Sequence, residues 1–266
     1  GFDHNLQTLR IVMFIENKYV KFKGLNLTLE TLDGLLKHNG PYYDDSDVEK
    51  LIGIKNLKNK INLKTYPSLE AQIASISDDI AYNNHDIQDG YRANLFKLDE
   101  LKEISFFNDI IKKYSRKTKK INNRVLIYQM ARDSINLMVK DLIRNSLIKF
   151  KVNKINKLND VYRSEDKLVC FSTRYENIID EIRHFLNSKM YKNNKILKKN
   201  NEGKKIIEKL FKFISNKPRK FLTFLPIKHN KYRSIADYIS GMTDRFAINI
   251  YKSIKWIYLK NIKIRY

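Results

Sequence analysis

Asp78, Tyr82 and Asp86 stand four residues apart in the run SLEAQIASISDDIAYNNHDIQDGYR, residues 68–92. On an α-helix that spacing puts all three on one face, each turned by about 40° from the last, with the outer carboxylates about 12 Å apart. Two aspartates that far apart cannot share a metal ion. They suit a long polar ligand lying along the helix, with a carboxylate at each end, and a nucleoside triphosphate has that length. The dipeptide His85-Asp86 has the form of a metal-binding pair, but His85 lies about 10 Å along the axis from Asp78, too far for a common ion on an unbroken helix. Asp78, Asp79, Asp86 and Asp89 fall close together in a basic chain, and such a cluster repels itself unless a cation or hydrogen-bonding ligand intervenes. The same residues also read as polar surface groups near a helix C-terminus.

The helix that must position them carries an inward apolar stripe of Leu69, Ile73, Ile76, Ile80 and Ile87. Pro67-Ser68 opens it, and it is expected to end near Gln88 with Gly90 beyond. Upstream, Phe2, Leu6, Leu9 and Met13 predict a helix from Phe2 to Asn17 with no cap or lead-in. Gly24 breaks the chain, and Thr28 caps a helix through Leu29, Leu32, Leu35 and Leu36 that stops at Gly40-Pro41. Leu51, Ile54, Leu57 and Ile61 predict a short surface helix. Further helical patterns cover 97–115, 122–150, 151–160, 174–190, 203–216 and 231–262. Leu168-Val169-Cys170-Phe171 is β-rich, but no regular alternation repeats. The fold class expected is all-α.

Composition narrows the function classes. With 266 residues, 42% of them apolar, the chain can bury a sizeable core. Only 8 Gly and 4 Pro occur, and no GxGxxG or GxxxxGK[ST] string, which argues against a Gly-rich dinucleotide fold or a turn-rich sandwich. A single cysteine, Cys170, excludes a disulfide framework and a Cys-built zinc site and points to a reducing, cytoplasmic setting. No run of 18 apolar residues is present, so no membrane partner is expected. Against 29 Asp and Glu stand 52 Lys and Arg, a net +23 that attracts polyanions, although compositional drift towards Lys, Ile and Asn gives the same excess. The densest stretch, Lys192–Lys220, holds 11 Lys and Arg with only Glu202 and Glu208. Phe211 and Phe213 are its only aromatics, where a single-stranded nucleic-acid groove calls for several exposed ones.

Four strings, FDHNLQTLR (2–10), GLNLTLETLDGLLKHNGP (24–41), SLEAQIASISDDIAYNNHDIQDGYRANLF (68–96) and ADYISGMTDRFA (236–247), resemble the deoxyguanosinetriphosphate triphosphohydrolase-like branch of the HD-domain superfamily. The resemblance runs in order along essentially the whole chain. It implies an all-α, HD-domain-like, metal-dependent enzyme that converts a deoxynucleoside triphosphate and water to deoxynucleoside and triphosphate. In that family a divalent metal (Mn, Mg or Fe) is held by a first histidine, a His-Asp pair and a later aspartate. The later aspartate corresponds to Asp78, the tyrosine against the sugar to Tyr82, and the acceptor for the 3′-hydroxyl to Asp86. His4 falls where family members bring a histidine towards the phosphates, a catalytic position. Arg10, Lys37 and Arg245 lie in matching strings and are carried as substrate-binding candidates without an assigned contact. A mixed His/Asp set suits a hydrolytic transition metal, and a tyrosine packed on deoxyribose leaves no room for a 2′-hydroxyl.

The first metal histidine and the His-Asp pair lie upstream of the FDHN segment in the family, and this sequence begins at that segment. None of His38, His85, His184 and His229 is expected to replace them. Where the family reads Tyr-Arg-His, this sequence has Tyr191-Lys192-Asn193, which keeps a charge but loses the bidentate fork. The expectation is an N-terminally truncated family member: residues 1–150 the C-terminal portion of the catalytic core, 151–266 a family-specific helical region. As an isolated chain it should be inactive and retain no metal, and apolar surface should lie exposed near Phe2, Leu6, Leu9 and the 69–87 stripe. The alternatives are a non-catalytic remnant for homo-oligomerisation or single-stranded nucleic-acid binding, and one half of a split enzyme completed by an N-terminal HD fragment.

Overall fold

The computed structural model describes residues 3–43, 48, 61–116, 122–222 and 230–263, with side chains to 254. Phe2, His229 and the helix expected over Leu51, Ile54 and Leu57 lie outside the described residues. Among the described residues there is no strand, and the all-α class is observed. No described helix is long and apolar enough to cross a membrane. The chain forms two compact units, Gly1–Lys189 and Met190–Tyr266. The expected division at 150/151 falls in the last turn of a helix within the first of them.

In the first unit, α1 (His4–Arg10) does have a cap, contrary to expectation: the Asp3 carboxylate accepts from the amides of Asn5 and Leu6 at 2.8 and 3.0 Å. After Arg10 the helix widens into a π turn, Ile11–Ile15, and stops short of Asn17. The chain then doubles back on it, the amides of Gly24 and Leu25 donating to the carbonyls of Glu16 and Val12. Gly24 has φ +67°, and a Cβ there would lie 2.4 Å from the carbonyl oxygens of Val12 and Met13, so the return requires glycine. Helix α2 (Leu29–Leu36) is capped by Thr28, which accepts from the Thr31 amide. Leu6 and Leu9, expected on exposed surface, are wholly buried in a core with Leu32, Leu36 and Leu63, because α2 packs on α1.

Helix α3 (Leu69–Arg92) opens at Ser68, whose hydroxyl accepts from the Ala71 amide. It overruns the expected end at Gln88. Gly90 is buried inside it, and the left-handed residue beyond its end is Asn94, φ +53°. Ile76, Ile80 and Ile87 are buried as expected, but Ile73 is 49% exposed, because the buried face continues through Gln72 instead. The pattern over 97–115 divides into α4 (Leu98–Leu101) and α5 (Ser105–Ser115). Helix α6 (Asn123–Val152) packs along α3, and α7 (Leu158–Arg163) follows a break at Lys154, φ +52°, so the pattern over 151–160 is not one helix. Residues 168–171 form a buried, non-helical segment tied down on two sides. Gln72 accepts from the amides of Leu168 and Val169, and Asn145 donates to the carbonyls of Cys170 and Phe171. Helix α8 (Thr173–Leu186) ends in a second π turn, Asn187–Tyr191.

The second unit contains α9 (Asn194–Asn216), α10 (Pro218–Phe221), α11 (Lys231–Ser240) and α12 (Asp244–Lys263) around Ile214, Leu222 and Ile235. The helix expected over 231–262 is two. The Gly241 amide closes α11 on the Asp237 carbonyl, and Thr243 begins α12 by accepting the Phe246 amide on its hydroxyl.

Candidate functional site

The end of α2, the first half of α3 and the start of α1 meet around a cavity of about 670 Å³ in the first unit. α3 supplies Asp78 and Tyr82, one helical turn apart, with Asp79 next to Asp78, so two of the three residues of the face inferred from spacing front a cavity and the third, Asp86, does not. Tyr82 is 62% exposed, so its ring is available to a ligand. His4, the first residue of α1, enters the same wall, 74 positions before Asp78 in sequence.

His38 is the residue that sequence spacing missed. It sits just past α2, where Lys37-His38-Asn39-Gly40-Pro41 reads only as a helix stop. The Ser75 hydroxyl on α3 donates to the His38 carbonyl at 2.6 Å, and this holds the imidazole Nε2 at 3.8 Å from the Asp78 carboxylate. Lys167 and Arg183 complete the wall from the far part of the unit. Arg183 binds Asp79 at 3.1 Å and Asp180 at 3.5 Å. No local signal ties either residue to α3, since both lie 75 or more positions beyond its end at Arg92.

Lys37 also lines the cavity, but its ammonium is 2.6 Å from the Asp33 carboxylate and donates to the Thr65 hydroxyl, and the residue is only 2% exposed. Burial pushes the Asp33 carboxyl above its ordinary range against the opposing pull of Lys37. The lysine charge is therefore spent within the wall. Arg10 donates to the Gln7 side chain at 3.2 Å and is not among the cavity residues, nor is Asp86, one turn beyond Tyr82. Arg245 lies exposed on α12 of the other unit. His85 and His184 are exposed, and Cys170 is buried as a core residue.

Asp78 and His38 offer a carboxylate oxygen and an imidazole nitrogen to a cation. Catalytic metal sites use three or more protein ligands, and among the described residues no group of three His, Cys, Asp or Glu stands close enough to hold an ion. These residues alone do not fit the family's metal.

Comparison with known proteins identifies the scaffold. Residues 169–253 match the model of a phosphohydrolase-associated domain. The chain is 62% identical over 254 residues to the deoxyguanosinetriphosphate triphosphohydrolase-like protein of Pelagibacter ubique, covering 96% of this chain and 68% of the relative. It is 34% identical over 272 residues to the protein of that description from Rickettsia felis, covering 98% and 70%. For the Bartonella henselae relative the figures are 36% over 268 residues, 96% and 66%. The chain thus spans about two thirds of the length of these relatives. With a relative 62% identical and others at about a third identity, each matched along nearly the whole of this chain, the chain belongs to the deoxyguanosinetriphosphate triphosphohydrolase-like family of the HD-domain superfamily.

Proposed function

We propose that the cavity is a deoxynucleoside triphosphate site, and that the reaction it belongs to is hydrolysis of dGTP or a related dNTP to deoxynucleoside and triphosphate. The observation that carries this reading is the meeting of His4, Asp78 and Tyr82, from distant parts of the sequence, around one cavity of suitable size. In it Tyr82 packs on the deoxyribose and His4 approaches the phosphates, while Asp86, one turn beyond Tyr82 and outside the cavity lining, is the acceptor for a 3′-hydroxyl that extends past it. Lys37, neutralised by Asp33, stiffens the wall. Arg10 and Arg245 are the weakest of the substrate-binding assignments, since neither has a place on this cavity nor, unlike Asp86, a position on the α3 face that lines it.

Asp78 is the family's later metal-ligand position, and with His38 it supplies two donors. We infer that turnover requires further ligands from a segment carrying the histidine and the His-Asp pair. The test is direct. Residues 1–266 should bind dGTP yet release no triphosphate with Mn²⁺, and adding a folded segment with those ligands should restore manganese-dependent release. Brisk triphosphate release by the 266-residue chain alone would refute the ligand deficit.

A second reading rests on the other unit. α11 brings to the lysine-rich α9 an exposed aromatic, Tyr232, and α12 a half-buried one, Tyr251. Tyr232 is 61% exposed, stacks on Phe211 and has Lys231 over its ring, and Lys209 donates to the Tyr251 hydroxyl at 3.4 Å while lying over that ring. Interleaved cations and aromatic faces suit single-stranded nucleic acid. Tyr232→Ala should weaken binding of a fluorescent oligothymidylate by about tenfold if a base stacks there; unchanged affinity would leave the charge acting without a stacking platform.

A further inference from the structure

A triphosphate brings several negative charges into the cavity, and the wall has few cations left to meet them. Lys37 is neutralised by Asp33, and Arg183 by Asp79 and Asp180. Lys167 differs. It is half-buried in the same wall and, among the described residues, has no carboxylate within ion-pair distance. Its charge is therefore unopposed within the wall and can meet an anion that enters the cavity.

The position of Lys167 is fixed by one side chain. Gln72, on the first turn of α3, is 2% exposed. Its Oε1 accepts from the backbone amides of Leu168 and Val169 at 3.0 and 3.1 Å, and its Nε2 donates to the Pro67 carbonyl at 2.9 Å. Leu168 and Val169 are themselves buried, so the residue before them is anchored at its C-terminal side. Gln72 and Pro67 line the cavity too. One amide thereby ties three segments of the wall together and sets where the Lys167 ammonium can reach.

We propose that Lys167 is the phosphate-binding residue of this cavity and that Gln72 is a positioning residue acting through it. The inference rests on reading the cavity as a nucleotide site, and the experiment separates the two. Calorimetric titration of the full chain in 150 mM salt compares dGTP with deoxyguanosine, which lacks the phosphates. Lys167→Gln should weaken dGTP about tenfold, the loss of one charged contact, and leave deoxyguanosine unmoved. Lys167→Arg should restore most of the dGTP affinity. Tyr82→Ala should weaken both ligands. For Gln72, the double variant Gln72→Leu/Lys167→Gln should bind dGTP no more weakly than Lys167→Gln alone, since a positioning residue has nothing left to position.

If Lys167→Gln binds dGTP as tightly as the native chain while Tyr82→Ala weakens both ligands, the lysine assignment is overturned and the nucleotide site survives. If the two losses simply add, Gln72 is structural only and its positioning role falls. If the native chain binds neither ligand, the nucleotide reading fails and this inference fails with it. Should Gln72→Leu not fold, the lysine variants decide the Lys167 assignment on their own, and Gln72→Asn, whose side chain is too short to span all three bonds, serves as the graded second variant for the cycle.

Discussion

At the scale of single residues, the most consequential pair is one that contacts no ligand in its own right. Lys37 and Asp33 are almost completely removed from water and meet at 2.6 Å. Removing one partner strands the other: Lys37→Met should destabilise the first unit by about 3–5 kcal/mol, because a buried carboxylate then has no counter-charge. The double variant Lys37→Met/Asp33→Leu should regain most of that loss, since an apolar pair of similar volume needs no compensation. Urea denaturation of the three proteins measures this, and a double variant as unstable as the single one would show that the pair is worth more than its desolvation. The Asp33–Lys37 contact could be suspected from its i,i+4 spacing, but its burial could not. Likewise Tyr82 and Asp78 were legible because their period is that of their own helix. His38 was not, because its relation to Asp78 is made by a hydroxyl on α3 reaching a carbonyl beyond α2.

Between elements, the close crossing of α2 on α3 brings His38 and Asp78 into one wall. Gly34 makes the crossing, for a Cβ on it would lie 2.7 Å from the Ala71 Cβ, and neither carbon can swing aside. Gly34→Ala should cost about 1–3 kcal/mol as overpacking, and Gly34→Ala/Ala71→Gly should recover part of it. Thermal unfolding reads both, and an unaffected Gly34→Ala would mean that the helices separate freely and that the His38–Asp78 spacing is soft. α5 and α6 are joined differently, through Asp133, which accepts from Tyr114 at 2.8 Å, Lys113 at 3.1 Å and Gln129 at 3.2 Å. Burial works to raise the Asp133 carboxyl, but these donors outweigh it and hold its pKa below the ordinary value. The native state then binds fewer protons than the unfolded chain in the acid range. The resulting stability is present above the unfolded pKa and lost as pH falls through the lowered native one. Asp133→Asn should therefore cost about 1–2 kcal/mol at neutral pH and progressively less towards pH 2, measured by denaturation across that range. The helices themselves were largely readable, because Thr28 and Ser68 cap where cap residues should. The misplaced helix ends at the glycines share a cause. Gly90 and Gly241 look alike in sequence, yet one is buried inside α3 and the other ends α11, and only tertiary packing distinguishes them.

For the molecule as a whole, the net charge is not spread as drift alone would spread it. Residues 190–266 carry 20 Lys and Arg against 4 Asp and Glu, so this unit holds +16 of the +23 in 77 residues. Residues 1–189 carry 32 against 25, a near balance at more than twice the length. A uniform bias towards lysine would have loaded both units alike. Concentration in the unit that also places Tyr232 and Tyr251 beside lysines is the distribution that the proposed nucleic-acid reading expects. The two origins differ in salt response. If about four phosphates are neutralised at one face, the logarithm of affinity for an oligothymidylate should fall with that of salt at a slope near −3, about fifty-fold between 50 and 200 mM. Lys205, Lys209 and Lys212 share one face of α9, and replacing all three by glutamine should flatten that slope by about two units if they make those contacts. Replacing three exposed lysines of the first unit, Lys97, Lys102 and Lys112, should leave it unchanged. Equal flattening by both triplets would return the charge to a diffuse field with no face, and the nucleic-acid reading of the second unit would lose its footing while the nucleotide cavity of the first kept its own.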